Sequence, residues 1–199
     1  MKKWFDLLDT FGFVLVNGVG KTLEATEELA LKMSYVRTTI YGGMWELRPD
    51  MAMDDTAYTR MELRPHTDCC YLADPPGYCP LPLNLYSIQI CHILEHNGTG
   101  GETTIVDGFK VVQQLRERYP EAFEFFRTTP VPFQYLDGDH SLYQMRTVFD
   151  VDQSMEATRF GYKNDDRAPI LLPSEKVIGF STPLNTGSCP SFTSHSGTY

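Results

Sequence analysis

In the run Arg64-Pro65-His66-Thr67-Asp68, an imidazole and a carboxylate stand two residues apart. Alternate residues of a strand point the same way, so both side chains could reach one metal ion. A histidine and an acid so placed are two thirds of the 2-His-1-carboxylate set that holds Fe(II) and leaves positions open for a cosubstrate and O2. The spacing alone says little. Five histidines and 26 acidic residues in 199 give about 0.65 His-x-acid matches by chance, and a surface histidine beside an aspartate is the competing reading. Downstream, Gly100-Gly101-Glu102-Thr103 puts a tight turn before the segment Thr104 to Phe109, where the Thr103 hydroxyl can donate to a carboxylate. An ordinary turn between two strands is the alternative there. Upstream, Tyr41-Gly42-Gly43-Met44-Trp45 and Asp55-Thr56-Ala57-Tyr58-Thr59 bring three aromatics. Scattered aromatics usually belong to a core, but a cluster of them is also how quaternary ammonium groups are bound, through the negative faces of the rings.

The elements that must position these residues follow from periodicity and punctuation. A short amphipathic helix is expected over Lys3 to Asp9, then a buried strand over Gly12 to Val16 bounded by Gly18 and Gly20. A second helix, capped by Thr22 and carrying Glu24, Glu27 and Glu28 near its positive end, should run to about Tyr35. Tyr41 to Arg64 reads as loop with one short strand near Thr56 to Glu62. Ser87 to Glu95 sets Ile88, Ile90, His92 and Leu94 against Gln89, Cys91 and Ile93, a strand pattern, and Thr103 to Val106 reads as its successor. Helices over Phe109 to Tyr119 and Glu121 to Arg127 are separated by Pro120, and strands follow over Val131 to Tyr135, Leu142 to Phe149 and Ala157 to Gly161. The fold class predicted is α+β and β-rich, a sheet domain with flanking helices.

Length and charge bound the function. A chain of 199 residues, 42% hydrophobic and 22% charged, is long enough for one domain with its own core. Its net charge of −9 repels phosphate backbones and anionic headgroups, so neither nucleic acid nor a membrane surface is expected as a partner. The longest apolar run, Phe11 to Val16, is far short of the roughly 18 residues that span a bilayer, and Met1 to Thr10 fits no targeting segment. Five cysteines without a CxxC pair read as reduced thiols, which places the protein inside a cell, in the cytoplasm or a mitochondrion. Val177 to Tyr199 holds no Asp, Glu, Lys or Arg where average composition would put about five, and the expectation is a disordered tail.

Taken in order, Ile40-Tyr41-Gly42-Gly43-Met44-Trp45, Asp55-Thr56-Ala57-Tyr58-Thr59, His66-Thr67-Asp68, Pro76-Gly77, Gly98-Thr99-Gly100-Gly101 and Val106-Asp107-Gly108-Phe109 form a specific set. Over Phe5 to Lys176 the chain resembles the γ-butyrobetaine and trimethyllysine dioxygenases, a branch of the taurine dioxygenase-like Fe(II)/2-oxoglutarate oxygenases. The resemblance implies a double-stranded β-helix, or jelly roll, with His66 and Asp68 as iron ligands. It further implies Thr103 as a contact of the 2-oxoglutarate carboxylate and Tyr41, Trp45 and Tyr58 as a trimethylammonium cage. Asp55 resembles the trimethyllysine branch, where the butyrobetaine branch carries Asn, and a carboxylate suits a substrate with a free α-ammonium. Hydroxylation of trimethyllysine in carnitine biosynthesis is thereby implied, with O2 as cosubstrate, ascorbate supporting activity, and homodimers among full-length relatives.

The chain departs from the family's pattern in three places. The family's second iron histidine and its 2-oxoglutarate-binding arginine have no counterpart, since His92, His96, His140 and His195 all lack the expected strand context. The expectation is therefore a partial oxygenase domain over 1–176 with its closing strands missing, and an aberrant tail over 177–199. Residues 78–87 read as an insertion between Pro76-Gly77 and Ile88-Gln89, and Met1 falls inside the family's domain. Two other readings stay open beside trimethyllysine hydroxylation: a γ-butyrobetaine hydroxylase, and a catalytically dead fragment that binds a quaternary ammonium ligand. A metal-free structural module of the cupin type is a third.

Overall fold

The computed structural model describes residues 2–48, 56–59, 61–76 and 87–169. Four α-helices and four strands are formed: α1 (Lys2–Phe11), α2 (Leu23–Leu31), α3 (Gly108–Arg118), α4 (Pro120–Thr128), β1 (Val131–Leu136), β2 (Ser141–Arg146), β3 (Phe149–Val151) and β4 (Ala157–Phe160). None of these helices is long and apolar enough to cross a membrane. The insertion expected at 78–87, apart from Ser87, and the tail at 177–199 lie outside the described residues.

Local signals set the helix bounds. The Thr22 side chain accepts from Ala25 N at 3.1 Å and starts α2. Asp107 caps α3 in the same way, accepting from Lys110 N at 3.0 Å. Pro120 opens α4 at the position where its missing N–H costs nothing, so two helices form where one would otherwise run on. Gly108 is required by packing as well. A Cβ there would stand 3.0 Å from the Phe160 ring, so the Asp107-Gly108 pair seats α3 against β4.

β1 and β2 form an antiparallel hairpin with Phe133 opposite Gln144 and Tyr135 opposite Leu142. Val131, Phe133 and Tyr135 are buried on one face of β1, while Tyr143 and Met145 on β2 face solvent. The second edge of β1 is taken by residues 166–168: Gln134 N donates to Asp166 O at 2.7 Å and Ala168 N to Pro132 O at 3.0 Å. β3 and β4 form a separate antiparallel pair with an irregularity at Asp150/Val151. One core joins the parts. Phe123 of α4 meets Phe149 of β3 at 5.1 Å between ring centroids, beside Val112, Phe133, Val148, Cys70 and Tyr71.

The β1–β2 turn is built on Asp137, whose carboxylate accepts from Asp139 N at 3.0 Å and from the Tyr135 hydroxyl at 2.9 Å. These donors hold its pKa at about 2, against an ordinary 3.8. A depressed carboxylate contributes stability that is complete above its unfolded pKa and is lost as pH falls through the folded one. Asp137→Ala should therefore flatten the fall of stability between pH 3.8 and about 2, read by urea unfolding at each pH. An unchanged acid limb would show that the turn contributes nothing there.

Several expected strands do not form. Helix holds more residues than strand, so the fold is α+β but not β-rich among the described residues. The segments at 12–16, 87–95 and 103–106 carry no ladder beyond a bridge at Ser87, and Thr56–Tyr58 is a 3-10 turn instead of a strand. An alternating pattern becomes a strand only when its N–H and C=O groups find a partner, and among the described residues none pairs with them. Their apolar side chains stay in solvent accordingly, Leu15 at 81% and Ile93 at 66% exposure. The strand expected over Leu142 to Phe149 is split into β2 and β3 because Val148 N donates to Phe126 O of α4 at 3.1 Å, which takes it out of any ladder.

Candidate metal centre

His66 and Asp68 lie on a loop, not on a strand, yet they meet: His66 Nε2 is 3.0 Å from Asp68 Oδ1. The other ring nitrogen, Nδ1, donates to the Arg64 carbonyl at 2.6 Å. A neutral imidazole has one N–H, so with Nδ1 as donor the Nε2 lone pair faces a carboxylate oxygen. Two acceptors so placed repel unless a cation lies between them or the ring takes a second proton. A metal-bound histidine characteristically donates its other N–H to a carbonyl, and this fixes the tautomer. The donor set suits Fe(II) chemically as one nitrogen and one hard oxygen. Among the described residues, no group of three or more His, Cys, Asp or Glu converges.

Long-range bonds hold this loop. Thr67 N donates to Tyr162 O at 3.0 Å, and Tyr162 N donates to the Thr67 hydroxyl at 2.7 Å. Gly161 N in turn donates to Val148 O at 2.8 Å, which ties the loop to the β3–β4 pair. Cys70 N donates to Asp166 Oδ2 at 3.2 Å, and Asp166 Oδ1 lies 3.2 Å from Lys163 Nζ, with both charges buried. Tyr162, Lys163 and Asp166 escape a sequence reading, because nothing near them in the chain marks them as partners of a loop some 95 residues away.

Gln89 is a further neighbour, donating from Nε2 to Asp68 Oδ2 at 2.5 Å. Over 89–94 the expected alternation does sort the side chains: Ile90, His92 and Leu94 are half-buried, while Gln89, Cys91 and Ile93 are exposed, but Ile88, expected on the inner face, is exposed as well. His92 Nδ1 and the buried Thr26 hydroxyl of α2 are 2.7 Å apart. The nearby thiols are not poised for reaction. Burial pushes the Cys69 thiol up to about 11 and raises Cys70, so both stay protonated near neutrality.

The aromatic residues are only partly assembled as expected. Tyr41 and Trp45 stack at 5.4 Å with 23° between their planes, so together they offer one wall and not two. Tyr135 meets Tyr41 edge-on at 5.9 Å, and Tyr71 lies 5.0 Å from Tyr135 with its hydroxyl against that of Tyr41. Neither Tyr71 nor Tyr135 stands out in the sequence. Tyr58 is buried on its 3-10 turn, and Asp55 lies outside the described residues. The glycine turn forms as expected, with φ of +87° at Gly100 and +77° at Gly101, a backbone that side chains resist, and His96 Nε2 lies 2.9 Å from the Gly100 carbonyl oxygen. Thr103 is exposed, and no hydrogen bond joins it to His66 or Asp68.

Residues 1–185 match the profile of the family described as taurine catabolism dioxygenase TauD, TfdA. The chain is similar to the mitochondrial trimethyllysine dioxygenase of Rattus norvegicus, 39% identical over 138 residues that make up 69% of this chain and 30% of the relative. It is 32% identical over 183 residues to the trimethyllysine dioxygenase of Meyerozyma guilliermondii, covering 89% of the chain and 43% of the relative. The γ-butyrobetaine dioxygenase of Homo sapiens is 29% identical over 186 residues, 92% of the chain and 46% of the relative. The chain thus spans from under a third to just under half the length of these curated relatives.

Proposed function

The chain belongs to the TauD/TfdA family of dioxygenases, and on that premise we propose that it carries the iron site of an Fe(II)- and 2-oxoglutarate-dependent hydroxylase acting on trimethyllysine. The observation that carries this reading is the approach of His66 Nε2 to Asp68 Oδ1 at 3.0 Å, with Nδ1 of the same ring donating to the Arg64 carbonyl. His66 and Asp68 hold the ion. Fe(II) bound there supplies the redox chemistry that couples decarboxylation of 2-oxoglutarate by O2 to hydroxylation of a carbon, giving succinate and CO2.

The remaining residues position. The Arg64 carbonyl keeps His66 in one tautomer, and the Thr67–Tyr162 pair fixes the loop before any ligand arrives. The exposed face of Trp45, backed by Tyr41, takes the trimethylammonium group, with Tyr58 completing the cage. Asp55 pairs with the α-ammonium that distinguishes trimethyllysine from γ-butyrobetaine, and Thr103 donates to 2-oxoglutarate. A jelly-roll fold, support by ascorbate, homodimers and a mitochondrial or cytoplasmic setting belong to the same reading. Both the rat and the yeast relatives are named trimethyllysine dioxygenases, which supports this substrate over γ-butyrobetaine.

Succinate formed from 2-oxoglutarate, with Fe(II), ascorbate and either amine, tests the proposal. Formation that depends on trimethyllysine is the expected result, and formation indifferent to both amines would overturn it. Ammonium binding without succinate would assign the chain as a binding fragment instead. Asp55→Asn should lower turnover of trimethyllysine more than that of γ-butyrobetaine, and equal losses would sink the assignment of Asp55. Trp45→Ala should weaken trimethyllysine binding by about 0.5–2 kcal/mol, roughly 2- to 30-fold in Kd by calorimetry. An unchanged Kd would remove Trp45 from the cage.

A further inference from the structure

A carboxylate ligand has two equivalent oxygens, and its terminal torsion is soft and two-fold, so nothing intrinsic decides which oxygen meets a metal or whether both do. In this chain the two oxygens of Asp68 are distinguished. Oδ1 faces His66 Nε2 at 3.0 Å, whereas Oδ2 lies 2.5 Å from Gln89 Nε2. A carboxylate only accepts, so the amide nitrogen must be the atom turned toward it. We propose that Gln89 is a positioning residue: its amide donates to Oδ2 and so reserves Oδ1 of Asp68 for a divalent metal beside His66.

The backbone explains why Gln89 can do this. Over 89–94 exposed and half-buried side chains alternate, and the half-buried face is anchored by His92, whose Nδ1 lies 2.7 Å from the buried Thr26 hydroxyl of α2. Three residues before that anchor, and therefore on the other face, Gln89 is presented to the His66–Asp68 loop. The amide is neutral, which suits the task. It fixes the carboxylate without the counter-charge of a lysine or arginine, which would compete with the metal for the same oxygens. The proposal rests on the metal-centre reading above.

The test is Mn(II) binding by the full chain, followed by electron paramagnetic resonance titration. Gln89→Met keeps the length of the side chain and removes its donor, and Gln89→Leu is a second variant at the same exposed position. Loss of one ligand-orienting hydrogen bond should weaken Mn(II) binding about 10- to 100-fold. In an Asp68→Ala background, the Gln89 variants should have no further effect on residual binding, because the amide acts only through the carboxylate. Undiminished affinity in both variants while the unmodified chain binds Mn(II) would overturn the proposal and leave the metal centre standing. So would an equal loss in the Asp68→Ala background, which would mark a general structural effect. Absence of Mn(II) binding by the unmodified chain would overturn the metal-centre reading and the proposal with it.

Discussion

His66→Ala should weaken divalent-metal binding by more than about 100-fold while leaving the fold intact. Removing a hydrogen-bonding neighbour of a ligand costs about 10- to 100-fold in affinity, so removal of a ligand itself should exceed that range. In a site where only two protein ligands are brought together among the described residues, little affinity is left to lose. Stability should hardly move. The His66 and Asp68 side chains are 23% and 35% exposed, and a pair that open to water contributes about 0–1 kcal/mol. Mn(II) titration and a thermal melt on the same preparation check both halves of the expectation. A variant that binds metal as before would show that His66 is the surface histidine of the competing reading.

Asp166→Ala should be the most damaging single change to stability, costing about 3–5 kcal/mol. Asp166 and Lys163 are 6% and 7% exposed at the side chain and lie 3.2 Å apart, so deleting the carboxylate removes a close counter-charge from a buried ammonium. The same carboxylate accepts from Cys70 N at 3.2 Å, two residues beyond Asp68, so the loss is also felt at the metal loop. For a domain of ordinary stability, about 5–15 kcal/mol in total, such a change removes from about a fifth to nearly all of it. The double variant Lys163→Met/Asp166→Leu removes both charges and keeps the volume, and it should be far milder than either deletion alone. Urea midpoints of the single and double variants decide the matter. A single variant no worse than the double would show that the pair is solvated in solution.

The residues that carry the chemistry were legible where neighbours in the chain determine their geometry. His66 and Asp68 meet across a single intervening residue, although they sit on a loop and not on the expected strand. The caps at Thr22 and Asp107, the break at Pro120 and the positive φ angles at Gly100 and Gly101 are likewise settled within a few residues. Strands β1 and β2 overlap the segments expected over Val131 to Tyr135 and Leu142 to Phe149, and the turn between them closes over Asp137 and His140.

Alternation at 12–16, 87–95 and 103–106 misled because a period of two records which face is apolar, not whether a partner strand is present. Over 89–94 it gave the faces correctly without the ladder, but it put Ile88 on the wrong one. The stack of Trp45 on Tyr41 depends on where both rings are carried. Sequence by itself determined the meeting of His66 with Asp68, the cap of α2 and the break at Pro120, all of them governed by torsions and hydrogen bonds over a few residues. Only the tertiary structure decided what holds that pair in place: Gln89 on Asp68 across 21 residues, Tyr162 on Thr67 across 95 and Asp166 on Cys70 across 96. Contacts at such separations leave no periodic trace, because each is made by one polar group whose partner is chosen by the packing of the core between them.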